Sequence, residues 1–361
     1  MKQHLIKNLS FLYILLIASI LSILEGCASN EFPVQEMMHI SASSISWPPS
    51  PQTPRIRYVG SLESAGDTDE PKSWFDKALE VIAGKKEAEP IILRPYGVFA
   101  DSDRMYVTDP GSSALHIFDL KNDKYFQITR AEEDLISPIG VVADKDGTIY
   151  LSDSILNTIS VFNKEGKYVR RIGSPEMLRR PAGIALSGDR LYVVDTHAHQ
   201  VLVFMKENGK LLFRFGRNGM SKGEFNYPTN IFIDGNGFIY ITDSMNFRIQ
   251  IFDRDGNFVS AFGKVGDGAG DFSKPKGVAV DSDGHIYVVD AQFANVQIFD
   301  RNGRILLQFG RPGRGIAEML LPAGIFIDKQ NRIYVADSYN NRVQIFQYLQ
   351  EKREGQVKPD R

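Results

Sequence analysis

A single cysteine, Cys27, stands among 361 residues. An internal disulfide is therefore excluded, as are a thiol pair and a cysteine metal cluster. Charge of one sign is also lacking. Forty-two Lys and Arg against 44 Asp and Glu leave a net charge of -2, so no global field draws the chain toward nucleic acid. Long hydrophobic runs are scarce. The clearest, residues 11–24, has about the length of a signal-peptide core and falls short of the ~20 residues a membrane helix needs. No Gly-x-Ser-x-Gly, His-Glu-x-x-His or phosphate-loop pattern occurs. What remains is globular in composition, at 43% hydrophobic and 24% charged. Its 31 Gly, 23 Phe and 14 Tyr point to many turns joining aromatic strands.

The N-terminus reads as a targeting segment. Lys2 and Lys7 precede the apolar run, and Leu24-Glu25-Gly26-Cys27 follows it. These four residues resemble a bacterial lipobox, with Glu25 where that pattern has a small or apolar residue. The resemblance implies a diacylglyceryl group on Cys27 Sγ and cleavage before it. A secretory peptide with an incidental cysteine, or an uncleaved anchor, is the other reading. Ala28 does not match the inner-membrane retention signal of enterobacteria. The expected location is thus the cell envelope, at the outer membrane on its periplasmic side or at the surface. Residues 27–54 carry Ser and Pro with little periodicity, and Pro48, Pro49, Pro51 and Pro54 predict an extended spacer.

The rest of the chain repeats. A Pro-x-Gly step recurs at Pro95, Pro138, Pro181, Pro275 and Pro322, and Pro228 fills the missing place with Asn230 in the glycine position. The spacings are 43, 43, 47, 47 and 47 residues. A Tyr-x-x-Asp unit accompanies each step, ending at Asp109, Asp153, Asp195, Asp243, Asp290 and Asp337. Nine residues after every one of these Asp comes a Phe, from Phe118 to Phe346. Within a unit, alternating apolar residues separated by Asp/Asn-Gly turns predict four short strands. A four-stranded unit of ~40–45 residues has the size of a propeller blade.

Residues 275–310 follow the order Pro-x-Gly-apolar-Ala-apolar-Asp, apolar-Tyr-apolar-x-Asp, apolar-x-apolar-Phe, Phe-Gly. In this the chain resembles NHL repeats, over residues 91–347. The resemblance implies an all-β, six-bladed β-propeller of four-stranded blades. Repeat six lacks a fourth strand with Phe-Gly, while Arg55-Ile-Arg-Tyr-Val-Gly60 upstream has that shape. Residues 55–60 are therefore predicted to close the ring as the outer strand of blade six. The domain reading is a signal peptide at 1–26, a tether at 27–54, a propeller at 55–347 and a polar tail at 348–361. Residues 63–90 interrupt the propeller. There Ser73 caps a predicted helix with Trp74, Ala78 and Ile82 on one face, packed on the ring or free to meet a partner or membrane.

Two sets of loops reach one end of such a ring. One set follows each Tyr-x-x-Asp, and the other precedes each Pro-x-Gly. The second set runs to 11 residues before Pro228, Pro275 and Pro322 but only seven before Pro181. Loops on a rigid scaffold commonly carry binding. Arg94, Tyr96, Arg180, Tyr227, Asn230, Lys274 and Lys276 flank the prolines, and four of these seven are basic. They form either an electropositive mouth for an acidic peptide or anion, or a solvated rim. Asn230 either bonds a ligand or caps a strand. The six repeated Asp are expected to hold loop amides.

Some related six-bladed propellers are metal-dependent lyases, so a lyase or hydrolase is the alternative function. A zinc site needs convergent His. His39 lies in the tether and His116, His197, His199 and His285 are scattered over the repeats, and the axial positions lack the carboxylates of a calcium site. No metal or other cofactor is expected. The resulting expectation is an exported, membrane-tethered scaffold that binds an unidentified protein or peptide and no nucleic acid.

Overall fold

The computed structural model describes residues 37–40, 45–63 and 92–350, all within the unit Pro33–Arg361. These residues form six antiparallel sheets. Blade two is typical, with strands Pro138–Ala143, Ile149–Asp153, Thr158–Phe162 and Tyr168–Ile172 in consecutive register. Its middle strands are buried along their whole length, while the fourth alternates between half-buried and exposed. A strand covered on both faces reads as a continuous apolar run, and an outer strand reads as an alternation.

The hydrophobic core lies between blades rather than within one. It divides into six clusters, one for each seam. Tyr150, Ile159 and Val161 of blade two, for example, pack against Ile184, Leu191, Val193 and Leu202 of blade three. The cluster joining blades six and one sets Tyr334, Val343 and Ile345 against Val98, Met105, Val107 and Phe118. No blade can bury its faces alone, so the ring supplies the stability.

The first strand of each blade is innermost, and these strands approach one another around the axis. Here the Pro-x-Gly glycine is required. A Cβ on Gly97 would lie 2.3 Å from the Ile139 carbonyl oxygen of the next blade, and one on Gly140 would lie 2.3 Å from that of Ala182.

Strand Ile56–Leu62 completes blade six against Arg342–Tyr348, with Phe346 opposite Tyr58 and Val343 opposite Leu62. The ring is therefore closed by an N-terminal strand, as the missing Phe-Gly predicts. Two further strands, Met38–Ile40 and Ser46–Trp47, pair with the outer edge of Ile56–Leu62. Sheet structure thus begins inside the stretch read as a tether. Residues 48–55 form the turn of a hairpin there, closed by Arg55 N donating to Trp47 O at 2.6 Å, where an extended spacer was predicted. Trp47 packs its ring 5.7 Å from that of Phe309 in blade five and 5.9 Å from that of Phe346 in blade six. The predicted helix at 73–84, Cys27 with its signal segment, and the tail beyond Gln350 lie outside the described residues. Within residues 92–350, helical structure is confined to single 3-10 turns such as Ser244–Asn246 and Ser338–Asn340.

Candidate functional site

The loop-bearing end is built on the six repeated aspartates. Each closes the second strand of its blade, and each is at most 1% exposed. Asp290 shows the role most plainly. It accepts from Ser273 N and Lys274 N before the proline, and from Gln292 N and Phe293 N after its own strand. One carboxylate thereby fixes both loops of its blade. These side chains are spent inside the fold, on backbone amides and, at Asp243 and Asp337, on Asn and Arg side chains as well, so they add no acidity to the surface.

The balance of forces on them varies. Burial works to raise Asp109, but His116 and the amides of Leu93 and Ser112 outweigh it, and its carboxyl is held below the usual value. At Asp337 burial prevails over Leu320 N, Asn340 and Arg342, and the carboxyl is pushed up.

The three 11-residue loops have a second anchor. Gln250, Gln297 and Gln344 stand on the third strands of blades four, five and six. Their Nε2 atoms donate to the carbonyls of Glu224, Asp271 and Glu318 at 2.6, 2.8 and 2.5 Å. Gln250 and Gln297 also accept from Gly223 N and Gly270 N. Under each loop Phe225, Phe272 or Met319 is fully buried. Sequence reasoning missed these glutamines, although the run x-Gln-Ile-Phe occurs in these three blades alone among the six repeats, the three that have the long loop.

Apolar side chains crowd the same end. Fourteen large hydrophobic residues are exposed among the described residues, and ten lie in loops before a Pro-x-Gly step or after a motif Asp. They include Ile155, Met220, Met245, Val265, Ile316 and Tyr339. The other four sit singly on outer strands.

The seven residues singled out from sequence fall into three situations. Tyr96 and Asn230 line a cavity of about 320 Å³ on the ring axis. Arg180 and Tyr227 belong to a cluster between blades three and four. Arg180 Nη1 is 3.1 Å from His197 Nε2, and the Tyr227 ring stands 5.8 Å from that of His197 and 4.7 Å from that of His199. Tyr227 N donates to His199 Nδ1 at 3.1 Å. Arg94 lies over the Tyr339 ring at 5.4 Å. Lys274 is exposed and Lys276 half-buried. Among the described residues none of Arg94, Arg180, Lys274 and Lys276 has a carboxylate partner.

The axial cavity is walled by inner strands. At the loop end it meets Tyr96, Thr229 and Asn230, and at the opposite end Phe99, Leu186, Phe232, Phe326 and Lys329. The Phe326 ring is 4.7 Å from Phe99 and 6.2 Å from Phe232, which narrows that end. The signal was in the sequence, because the fourth residue after the repeat proline is Phe in blades one, four and six and Val or Ala elsewhere. Asn230 Oδ1 accepts from Val278 N of the next blade at 3.4 Å, so it bridges two inner strands. His116 is fully buried against Asp109 and Tyr125, remote in role from His197 and His199. Among the described residues no group of three His, Cys, Asp or Glu is placed to hold a metal ion.

Comparison with known proteins agrees with this architecture. A family described as "6-bladed beta-propeller" matches residues 176–245, 235–293 and 281–354. The human protein "NHL repeat-containing protein 3" is 27% identical over 167 residues, which are 45% of this chain. The aligned region spans only 40% of that relative's own length. Among solved structures, virginiamycin B lyase from Staphylococcus aureus superimposes with a TM-score of 0.53 at 17% identity, covering 71% of this chain and 95% of the lyase. An auxiliary nutrient binding protein from Bacteroides ovatus does so with a TM-score of 0.56 at 15% identity, covering 72% and 71%. At these identities the two structures share the fold.

Proposed function

Because the chain is an NHL-repeat six-bladed β-propeller, we propose that it is a binding scaffold whose loop-bearing face docks a protein or peptide. The observation that carries this reading is the concentration of exposed apolar side chains on that face, ten of fourteen. Contiguous exposed apolar surface rimmed by charge is a feature of interaction sites. The carboxylate and glutamine anchors hold the loops in place before a partner arrives, which reduces the ordering cost of binding. The four basic residues around the prolines add a preference for an acidic partner.

The sequence pattern at Cys27 supports the second half of the proposal, that the scaffold is exported and held to a membrane of the cell envelope by lipid. Two or more acyl chains give a firm anchor, at about 0.8 kcal/mol per buried methylene.

Each half has its own test. Partners are captured from native membranes with the full chain and with the triple variant Arg94→Glu, Arg180→Glu, Lys274→Glu. Loss of capture is expected, and equal recovery would remove the face from consideration. Globomycin treatment of expressing cells is expected to accumulate a larger precursor. A mature-sized product despite the inhibitor rules out lipidation at Cys27.

A further inference from the structure

Six near-equal blades make departures from equality informative, and several gather on the inner strand of blade four. Asn230 occupies the glycine place of the repeat. In blades one and two, the hydroxyl just before the motif Asp donates to the next inner strand, Thr108 to Ile139 O at 2.8 Å and Ser152 to Ala182 O at 2.6 Å. The matching acceptor for blade four is Lys276 O, and Thr229 Oγ1 has taken it at 3.2 Å. Thr242, the equivalent hydroxyl, is left 0% exposed with no partner. A fold that keeps an unpaired buried hydroxyl forgoes stability at that spot, and such exceptions gather where function is served.

Asn230 faces the axis beside this hydroxyl. Its Oδ1 is engaged with Val278 N, while its Nδ2 has no partner among the described residues. A free amide donor therefore stands at the mouth of the axial cavity. Arg94, Arg180 and Lys274 each precede the repeat proline, and among the described residues none is neutralised by a carboxylate. Below the mouth the wall turns apolar at Phe99, Phe232 and Phe326, with Lys329 beyond them at the far end. The wall thus runs from a hydrogen-bond donor at the mouth to aromatic rings below it.

We propose that the axial cavity receives an apolar group that carries a carboxylate, with its tail on the three phenylalanines and its carboxylate at Asn230 Nδ2. A volume of about 320 Å³ admits one aromatic or branched aliphatic group. The carboxylate comes either from the last residue of a peptide or from a free small acid. This inference rests on the docking reading above and specifies the chemistry of what docks.

The purified full chain is titrated with a short peptide ending in phenylalanine as its free acid, the same peptide ending as an amide, and 3-phenylpropanoate. At least one acid is expected to bind, and the peptide acid, where it binds, to exceed the amide by about tenfold or more. Asn230→Leu and Ile139→Trp, the latter filling the cavity beside Gly140, are each expected to weaken the acid by about tenfold or more with the melting midpoint retained. Binding by the peptide acid but not by phenylpropanoate assigns the carboxylate to a chain terminus, and the reverse assigns it to a small acid. Equal binding of acid and amide, no binding by either acid, or affinity unchanged in both variants overturns the proposal. Partner capture that survives in Asn230→Leu, together with no binding by either acid, leaves the docking reading standing without this one.

Discussion

At Asp290 a single carboxylate takes the place of a folding unit. It accepts amides from two loops that are otherwise unconnected, and it is fully buried. Asp290→Ala leaves those amides without their acceptor, and the expected loss is at least about 3 kcal/mol, read as a lower urea midpoint. Asp109, Asp153 and Asp195 repeat the arrangement, while Asp243 and Asp337 take one backbone amide each and turn to Asn and Arg side chains, so the role was legible from six equal offsets but its variation was not. The tyrosine three residues before each Asp tells a related story. Burial, reinforced by Asp101, pushes the Tyr106 hydroxyl up to about 12, and burial first of all also raises Tyr150, Tyr240, Tyr287 and Tyr334. A hydroxyl whose folded pKa is raised contributes stability fully below its unfolded value of about 10 and loses it as pH rises through the folded value. Alkaline unfolding is therefore expected to steepen between about pH 10 and 12, with tyrosinate absorbance appearing together with loss of circular dichroism. Tyrosinate absorbance completed well before the fold is lost would contradict this.

The element that the sequence under-described is the long loop. Its length was countable, but its rigidity depends on Gln250, Gln297 and Gln344, which come from a strand some two dozen residues later. A polar residue in an apolar strand carries no local sign of what it reaches across space. Gln297→Ala should release the Asp271 carbonyl and Gly270 N while leaving the blade paired. Limited proteolysis is expected to cut within 264–274 several-fold faster than in the parent, with the melting midpoint within about 3 degrees. Resistance equal to the parent would mean that Phe272 alone pins the loop. Strands Met38–Ile40 and Ser46–Trp47 were missed for a different reason. Both are too short for alternation to register, and they pair only because Ile56–Leu62 offers an open edge.

At the scale of the ring, each seam has its own apolar cluster, and five of six also have a hydroxyl that crosses to the next inner strand. Thr108, Ser152, Thr196, Ser244 and Ser338 donate to the carbonyls of Ile139, Ala182, Pro228, Pro275 and Pro95. Between blades five and six the hydroxyl is missing, since Ala291 and Val289 flank Asp290. That seam is joined at the opposite end by Asn331 with Ser282 and by Tyr348 with Asp283. Trp47 also packs across it. Removing residues 37–62 takes away both the closing strand and this ring contact. The ring is expected to lose cooperativity, with hydrogen exchange rising first in Arg342–Tyr348 and then in blade five. Unchanged protection there would show that closure does not depend on the N-terminal strand. The number of blades and the closing strand were readable because repeats fix their own period. The preferences of the face were not, because charge and exposure depend on which loop side chains remain unpaired after folding.

The edge position of Met38–Ile40 has a mechanical consequence. The polypeptide is continuous around the ring except where Ile56–Leu62 meets Arg342–Tyr348, and the chain leading to the N-terminus is stitched onto that same sheet. Tension on the N-terminus thus arrives at the one joint of the ring that no peptide bond spans. Pulled along the strand, the added pairs share the load in shear, and they must yield before the joint itself is stressed. A propeller held by its leading end carries its own strain relief.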